Sequence, residues 1–133
     1  MRIAELTADR STCDRAEVGA VAVKDRRIIM SGYNGSPSGM EHCNEKHYLI
    51  NGHCEATVHA EQNIIAQAAK HGIALEGATI YVTHSPCFHC LKLLISAGIK
   101  TIMYRHIKPD SRIPDHYYQV IQVLPLRRNE DGS

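Results

Sequence analysis

Apolar and polar positions alternate along the chain in two rhythms, one with the period of a helix and one with the period of a strand. Up to about Asp9, Ile3 and Leu6 at i, i+3 spacing predict a short helix. Val18 to Lys24 reads as a buried strand, Asp25-Arg26 as a tight turn, and Arg27 to Tyr33 as the antiparallel partner. From Asn34 to about Glu55 the periodicity lapses into a stretch rich in Gly, Ser, Pro, His and Cys. Irregular runs of that length inside a compact domain are uncommon and are mostly functional or cross-linked. Periodicity resumes near Ala56. Val58, Ile65, Ala68 and Ala69 predict a helix to Lys70 or His71, with Gly72 as its C′ residue.

Ala78 to Thr83 is a strand. His84-Ser85 turns a corner, with Ser85 placed to cap the next helix and Pro86 suited to its first position. That helix carries Cys87, Cys90, Leu91, Leu94 and Ile95 and stops at Gly98. Lys100 to Tyr104 is a strand again, so the succession predicts a right-handed βαβ unit. Beyond Arg105 come Pro109 and Pro114, a short helix near His116 to Gln119, and a last strand around Val120 to Leu124. The expected architecture is a three-layer α/β/α fold: one mixed five-stranded sheet, helices on both faces, and a single domain over residues 1–133.

Composition narrows the class. The 44% hydrophobic content suits a globular chain, and no apolar run reaches the roughly 18 residues of a membrane span. Met1 to Leu6 lacks the apolar core of a signal peptide, so a cytoplasmic protein is expected. A net charge of +1 provides no footprint for gripping a long nucleic acid, though it leaves room for a local nucleotide pocket. Five cysteines is an odd count, and two stand as Cys-x-x-Cys, which favours metal ligation over a disulfide framework.

The chemistry concentrates in His59-Ala60-Glu61 and in Pro86-Cys87-Phe88-His89-Cys90. One imidazole and two thiols make three zinc ligands, and a tetrahedral zinc with three protein ligands keeps its fourth position for water. Cys87 and Cys90, at i, i+3 in a first helical turn, share a face. Backbone N–H groups there favour the thiolate. Residues at i, i+2 do not face each other on a regular helix, so His59 and Glu61 are expected at a helix entrance, where Glu61 can lean over the metal. The competing interpretation is a structural zinc knuckle that borrows another histidine; such a site has no need of Glu61 or of the proline.

His-x-Glu with Pro-Cys-x-x-Cys is the zinc-deaminase signature. Arg10-Ser11-Thr12-Cys13, Val18-Gly19-Ala20-Val21, Gly32-Tyr33-Asn34-Gly35-Ser36-Pro37, His42-Cys43, His53-Cys54 and Gly77 to Thr83 extend it. Together these motifs resemble the deoxycytidylate (dCMP) deaminase family over roughly Arg10 to Tyr104. The resemblance implies a cytidine-deaminase-like fold and hydrolysis of dCMP to dUMP and ammonia, which feeds thymidylate synthesis. In that chemistry a zinc-activated hydroxide attacks C4 of cytosine, with Glu61 as proton shuttle. It further implies a homo-hexamer activated by dCTP and inhibited by dTTP, with Mg2+ on the effector triphosphate.

By the same resemblance, Asn34 is the sugar contact, and the backbone of Ala60 and Ser85 meets the base. Gly35, Ser36 and Pro37 lie near the effector site. Asn34 also fits a plain turn beside Gly35, and a surface turn uses the same residues as the following loop. Ser11, Arg10, Arg15 and Lys108 are candidates for the phosphate, although each also suits a solvated surface. Some family members carry a second zinc, with ligands at positions matching Cys13 and Cys43. Here Cys54 and His47 complete a Cys₃His set, with His42 or His53 as alternatives to His47, against the option of three buried free thiols. A cytidine, tRNA adenosine or riboflavin-pathway deaminase shares the zinc motifs. A zinc-stabilised nucleotide-binding module without turnover is the remaining alternative.

Overall fold

A computed structural model describes residues 1–11, 17–35 and 57–127, together with the backbone of 49–50 and 53–54. Cys13, Arg15, Ser36, Pro37, His42, Cys43 and His47 lie outside the described residues, and of His53 and Cys54 only the backbone is described. Every side chain of the expected second-zinc set is among these.

Helix α1 spans Arg2–Ala8. Strands β1 (Gly19–Lys24) and β2 (Arg27–Tyr33) form the expected hairpin. Its two-residue loop holds Asp25 at φ 52° and Arg26 at φ 64°, the left-handed pair that matches the twist of the flanking strands. Two-residue strands β3 (Leu49–Ile50) and β4 (His53–Cys54) pair antiparallel. Helix α2 (Ala60–His71) ends on Gly72 at φ 68°. Strand β5 (Thr79–His84), helix α3 (Phe88–Ser96) and strand β6 (Thr101–His106) come next. A 3₁₀ turn at Asp115–Gln119 leads into β7 (Gln122–Pro125). No described helix is long and apolar enough to cross a membrane.

The main sheet has five strands in the order β2-β1-β5-β6-β7. β1 runs antiparallel to β2 and β5, whereas β5, β6 and β7 are mutually parallel, so the sheet is mixed. Two glycines show which face each helix covers. A Cβ on Gly19 would stand 2.1 Å from the Ala4 carbonyl oxygen of α1; one on Gly32 would stand 2.6 Å from the Ala60 carbonyl oxygen of α2. Gly32 pairs with Ala20, the neighbour of Gly19, and successive strand residues point to opposite faces. Helices α1 and α2 thus cover opposite faces.

The principal core lies on the α2 face. Ala20 and Ala22 of β1, Ile80 and Val82 of β5 and Ile102 of β6 meet Ile64 and Ala68 of α2 and Leu91 and Leu94 of α3 there. Each fully buried branched side chain contributes about 1.5–3 kcal/mol. Alanines and glycines in β1 and β2 let α2 approach the sheet closely, which sets the depth of its first turn. Gly32→Ala is therefore expected to cost about 1–3 kcal/mol by overpacking against backbone that cannot yield. Thermal melting of the variant checks this, and an unchanged melting temperature would contradict the close approach.

Two helix starts differ from the expectation. Helix α2 begins at Ala60 rather than near Ala56, because Val58 is held extended in a two-bond bridge with Gly35, Gly35 N–H to Val58 O at 3.1 Å and Val58 N–H to Gly35 O at 2.7 Å. Its buried stripe is Ala60, Glu61, Ile64 and Ala68, while Ala69 is exposed and Val58 precedes the helix. Helix α3 begins at Phe88, with Cys87 as an extended N-cap at φ −73°, ψ 170°. Pro86 is thus outside the helix, and Ser85 does not cap it, since its hydroxyl is engaged with Lys108 instead.

Candidate functional site

The N-termini of α2 and α3 converge on the core face of the sheet, and each contributes its cap residue. His59 is the N-cap of α2, with extended backbone at φ −68°, ψ 153°. Its N–H donates to Gln62 Oε1 at 2.9 Å, which fixes the first turn. Asn63 donates from Nδ2 to the Tyr33 carbonyl at 2.6 Å and ties the same turn to the end of β2. Leaving His59 outside the helical spiral while Glu61 is inside it resolves the i, i+2 problem, because the cap residue is free to turn its ring across the helix mouth. His59 Nδ1 lies 3.2 Å from Cys90 Sγ and 3.6 Å from Cys87 Sγ. The three donor atoms all lie within 4.8 Å of one another.

This set fits zinc. With Zn–N and Zn–S bonds near their usual lengths, a tetrahedral ion separates its nitrogen and sulfur ligands by about 3.6 Å. One imidazole nitrogen and two sulfurs at this spacing are also the donor chemistry the ion prefers. Cys90 is fully buried, Cys87 is half-buried and His59 is open to solvent, so the set is approached from one side. The Cys90 thiol donates to Cys87, which together with His59 pulls Cys87 down to about 3. That bond and burial push Cys90 up. Hydrogen bonding to Cys87 raises His59. A dication held here would displace the proton from Cys90, since zinc binds both sulfurs as thiolates.

Glu61 lies in the first turn of α2, 4% exposed. Burial pushes its carboxyl above the usual range, opposed by a bond from its own backbone N–H and by the His59 charge. Its side chain also bonds the Cys90 thiol. A carboxyl with raised proton affinity therefore sits against the metal-type set.

The remaining candidates are spread around this centre. Ala60 is fully buried at the first position of α2. Asn34, 5% exposed, accepts the Val18 N–H on Oδ1 at 2.9 Å, so its oxygen stitches the start of β1. Gly35 is buried in its bridge to Val58. Ser85 N–H donates to the His106 carbonyl at 2.9 Å, and its hydroxyl accepts the Lys108 N–H at 2.7 Å. Ser11 N–H donates to the Ala8 carbonyl just after α1, and the Arg10 guanidinium lies over the Tyr33 ring at 5.8 Å.

Asp110 escaped the sequence reasoning. Its Oδ2 accepts the Phe88 N–H at 2.9 Å and so caps α3 at its first residue, next to Cys87. Arg112 grips the same carboxylate, Nη2 to Oδ2 at 2.6 Å and Nε to Oδ1 at 2.8 Å, and holds it well below the usual carboxylate range. Only its place two residues past Lys108, after Pro109, marked the segment as a turn. Asp110→Ala is expected to cost about 1 kcal/mol, the usual loss for a helix cap, and to speed metal loss to a chelator. Metal retention equal to that of the parent would show that the cap does not hold the Cys87–Cys90 turn.

Comparisons with known proteins cover the segment that carries these residues. Residues 1–106 match the family model described as the cytidine and deoxycytidylate deaminase zinc-binding region. The chain is 51% identical to ComE operon protein 2 of Bacillus subtilis over 78% of its length, spanning 56% of that relative. It is 38% identical to the deoxycytidylate deaminase of Mycobacterium phage D29, covering 77% of this chain and 88% of the phage protein. The crystal structure of dCMP deaminase from the cyanophage S-TIM5 in complex with dCMP and dUMP superposes with a TM-score of 0.78 at 34% identity, over 94% of this chain and 92% of that one.

Proposed function

Because the chain belongs to the cytidine and deoxycytidylate deaminase family, we propose that it is a single-domain hydrolase converting dCMP to dUMP and ammonia. The observation that carries this is the buried carboxyl of Glu61 set against the His59, Cys87 and Cys90 donors. Likeness to a cyanophage enzyme crystallised with dCMP and dUMP supports dCMP over other cytosine compounds. Zinc held by His59, Cys87 and Cys90 supplies Lewis acidity and brings the pKa of a water towards neutrality.

The chain's own residues do the rest. Glu61 takes a proton from the attacking water, delivers it to N3 of the ring and then carries a proton to the departing amine. Its raised proton affinity suits both halves of that exchange, since a carboxyl that binds a proton more tightly than usual can take one from water and hand it on. The Ala60 N–H and the Ser85 carbonyl meet the base, and Asn34 meets the sugar. The fully buried Cys90 and the core beneath it close the inner side of the site to bulk water. A homo-hexamer in the cytoplasm, activated by dCTP and inhibited by dTTP with Mg2+, completes the proposal and rests on family resemblance. So does a role in supplying thymidylate synthesis.

Ammonia release from dCMP, cytidine, dCTP and adenosine tests it, each with and without dCTP or dTTP plus magnesium. Turnover confined to dCMP is the expected result. Turnover confined to cytidine or adenosine would move the protein to another branch of the zinc deaminases, and no turnover by zinc-loaded protein would reduce it to a binding module.

A further inference from the structure

The turn that presents Cys87 and Cys90 is held by contacts that involve neither sulfur. Asp110 Oδ2 accepts the Phe88 N–H at 2.9 Å, and Arg112 fixes that carboxylate. The Phe88 ring packs edge-on against Tyr117, centroids 5.2 Å apart at 79°, and the Lys92 ammonium lies 4.7 Å from its centre. The Leu91 N–H donates to the Cys87 carbonyl at 2.9 Å, and Leu91 is fully buried. Packing and backbone bonds thus keep the two thiols side by side, whatever the sulfurs themselves bind.

Their placement suits a dithiol as well as a metal site. The Cys-x-x-Cys run opens the helix of a parallel β5-α3-β6 unit, the setting in which such pairs undergo thiol–disulfide exchange. Cys87 is the extended N-cap, outside the helical spiral, and Cys90 is in the first turn. Their sulfurs lie within 4.8 Å of each other, so side-chain rotation is enough to bring them to bonding distance. The two differ in access. Cys87 is half-buried and open to a reagent from outside, whereas Cys90 has no exposed surface and meets only its neighbours. His59 Nδ1, 3.2 Å from Cys90 Sγ, is placed to take that thiol's proton.

We propose that Cys87 and Cys90 are a redox-active pair, which a small-molecule disulfide of the glutathione class converts to an internal disulfide unable to hold zinc. This goes beyond the deaminase reading and requires no turnover. In the first step the Cys87 sulfur attacks one sulfur of the reagent. The reagent's S–S bond breaks, and its other half leaves as a thiol with the Cys87 proton. In the second step Cys90 attacks Cys87 Sγ, and its proton passes to His59 Nδ1 and on to the departing sulfur. Two electrons move from the protein thiols to the reagent, which is released as two thiols. The new bond closes a loop containing only Phe88 and His89, so the contacts that pin Phe88 are retained while both sulfur ligands are lost. Both sulfurs are engaged when zinc is bound, which opposes the reaction.

The test incubates zinc-loaded protein with oxidised glutathione, with and without a chelator, and follows zinc release beside peptide mapping by mass spectrometry. A Cys87–Cys90 disulfide is expected to accumulate in step with the loss of one zinc per disulfide. The chelator should speed its formation about 10-fold or more, since a metal-bound sulfur must first be released. Dithiothreitol with added Zn2+ should restore the metal content. Cys90→Ser should stop at a mixed disulfide on Cys87, and Cys87→Ser should leave Cys90 unmodified; the mapping of the parent stands by itself if either variant fails to fold. No Cys87–Cys90 disulfide even with the chelator, or pairing of Cys87 with Cys13, Cys43 or Cys54 in its place, would overturn the proposal. So would a disulfide form that keeps its full zinc content, or a rate that the chelator leaves unchanged.

Discussion

Glu61→Gln is expected to keep its zinc and its fold while losing turnover of dCMP by on the order of 10²–10⁴, the usual worth of a positioned acid–base group. The amide has the shape of the carboxyl, so the first turn of α2 and the packing beneath it are preserved. It cannot accept a proton and return it, which is the one task assigned to this side chain. The environment sharpens the expectation. Glu61 is 4% exposed, so bulk water offers no alternative proton carrier at that point. Metal analysis, a melting curve and ammonia release on the same preparation check the three parts separately. A variant with near-normal rate would remove Glu61 from the chemistry, and one that lost its metal would make it a structural residue.

Cys90→Ala is expected to have the other large effect. Cys90 is fully buried, closest to His59 at 3.2 Å, and bonded to both Cys87 and Glu61. Its loss leaves two donors where three converged. Zinc affinity should fall by more than the roughly 10- to 100-fold that accompanies loss of a mere outer-shell partner, and activity should go with it. Withdrawing zinc from the parent protein with a chelator should reproduce the loss of activity, and added Zn2+ should restore it. Restoration in the parent and none in Cys90→Ala is the expected pair of results. Full zinc content in Cys90→Ala would mean that the metal sits elsewhere, with the cysteines around the Asn34–Glu55 stretch as the next place to look.

The features legible in the chain alone are those governed by short-range physics. Alternation in Val18 to Lys24 and Arg27 to Tyr33, with two turn residues between them, specifies a hairpin because its contacts are local. Gly72 ends α2 as expected, because the left-handed cap is a one-residue property. The donor set was likewise legible, since His-x-Glu and Pro-Cys-x-x-Cys each carry their ligands within one turn of chain. Helix starts were less legible. Propensity extends α2 back to Ala56, but Val58 finds a better partner in Gly35, a residue far away in sequence. Propensity also offers Ser85 as the cap of α3, whereas Asp110 supplies the carboxylate.

The sequence by itself thus determined most of the elements, the family and the three donors that converge, all of them encoded in runs of a few residues. Tertiary structure decided the strand order β2-β1-β5-β6-β7, which places β5 between an antiparallel and a parallel neighbour. It also decided which helix covers which face and that His84 would meet His106. These depend on contacts between residues distant in the chain, where the free energy comes from burying Ile80, Val82 and Ile102 together rather than from any local preference. Local sequence can state that such side chains must be buried; only the closed core shows against what.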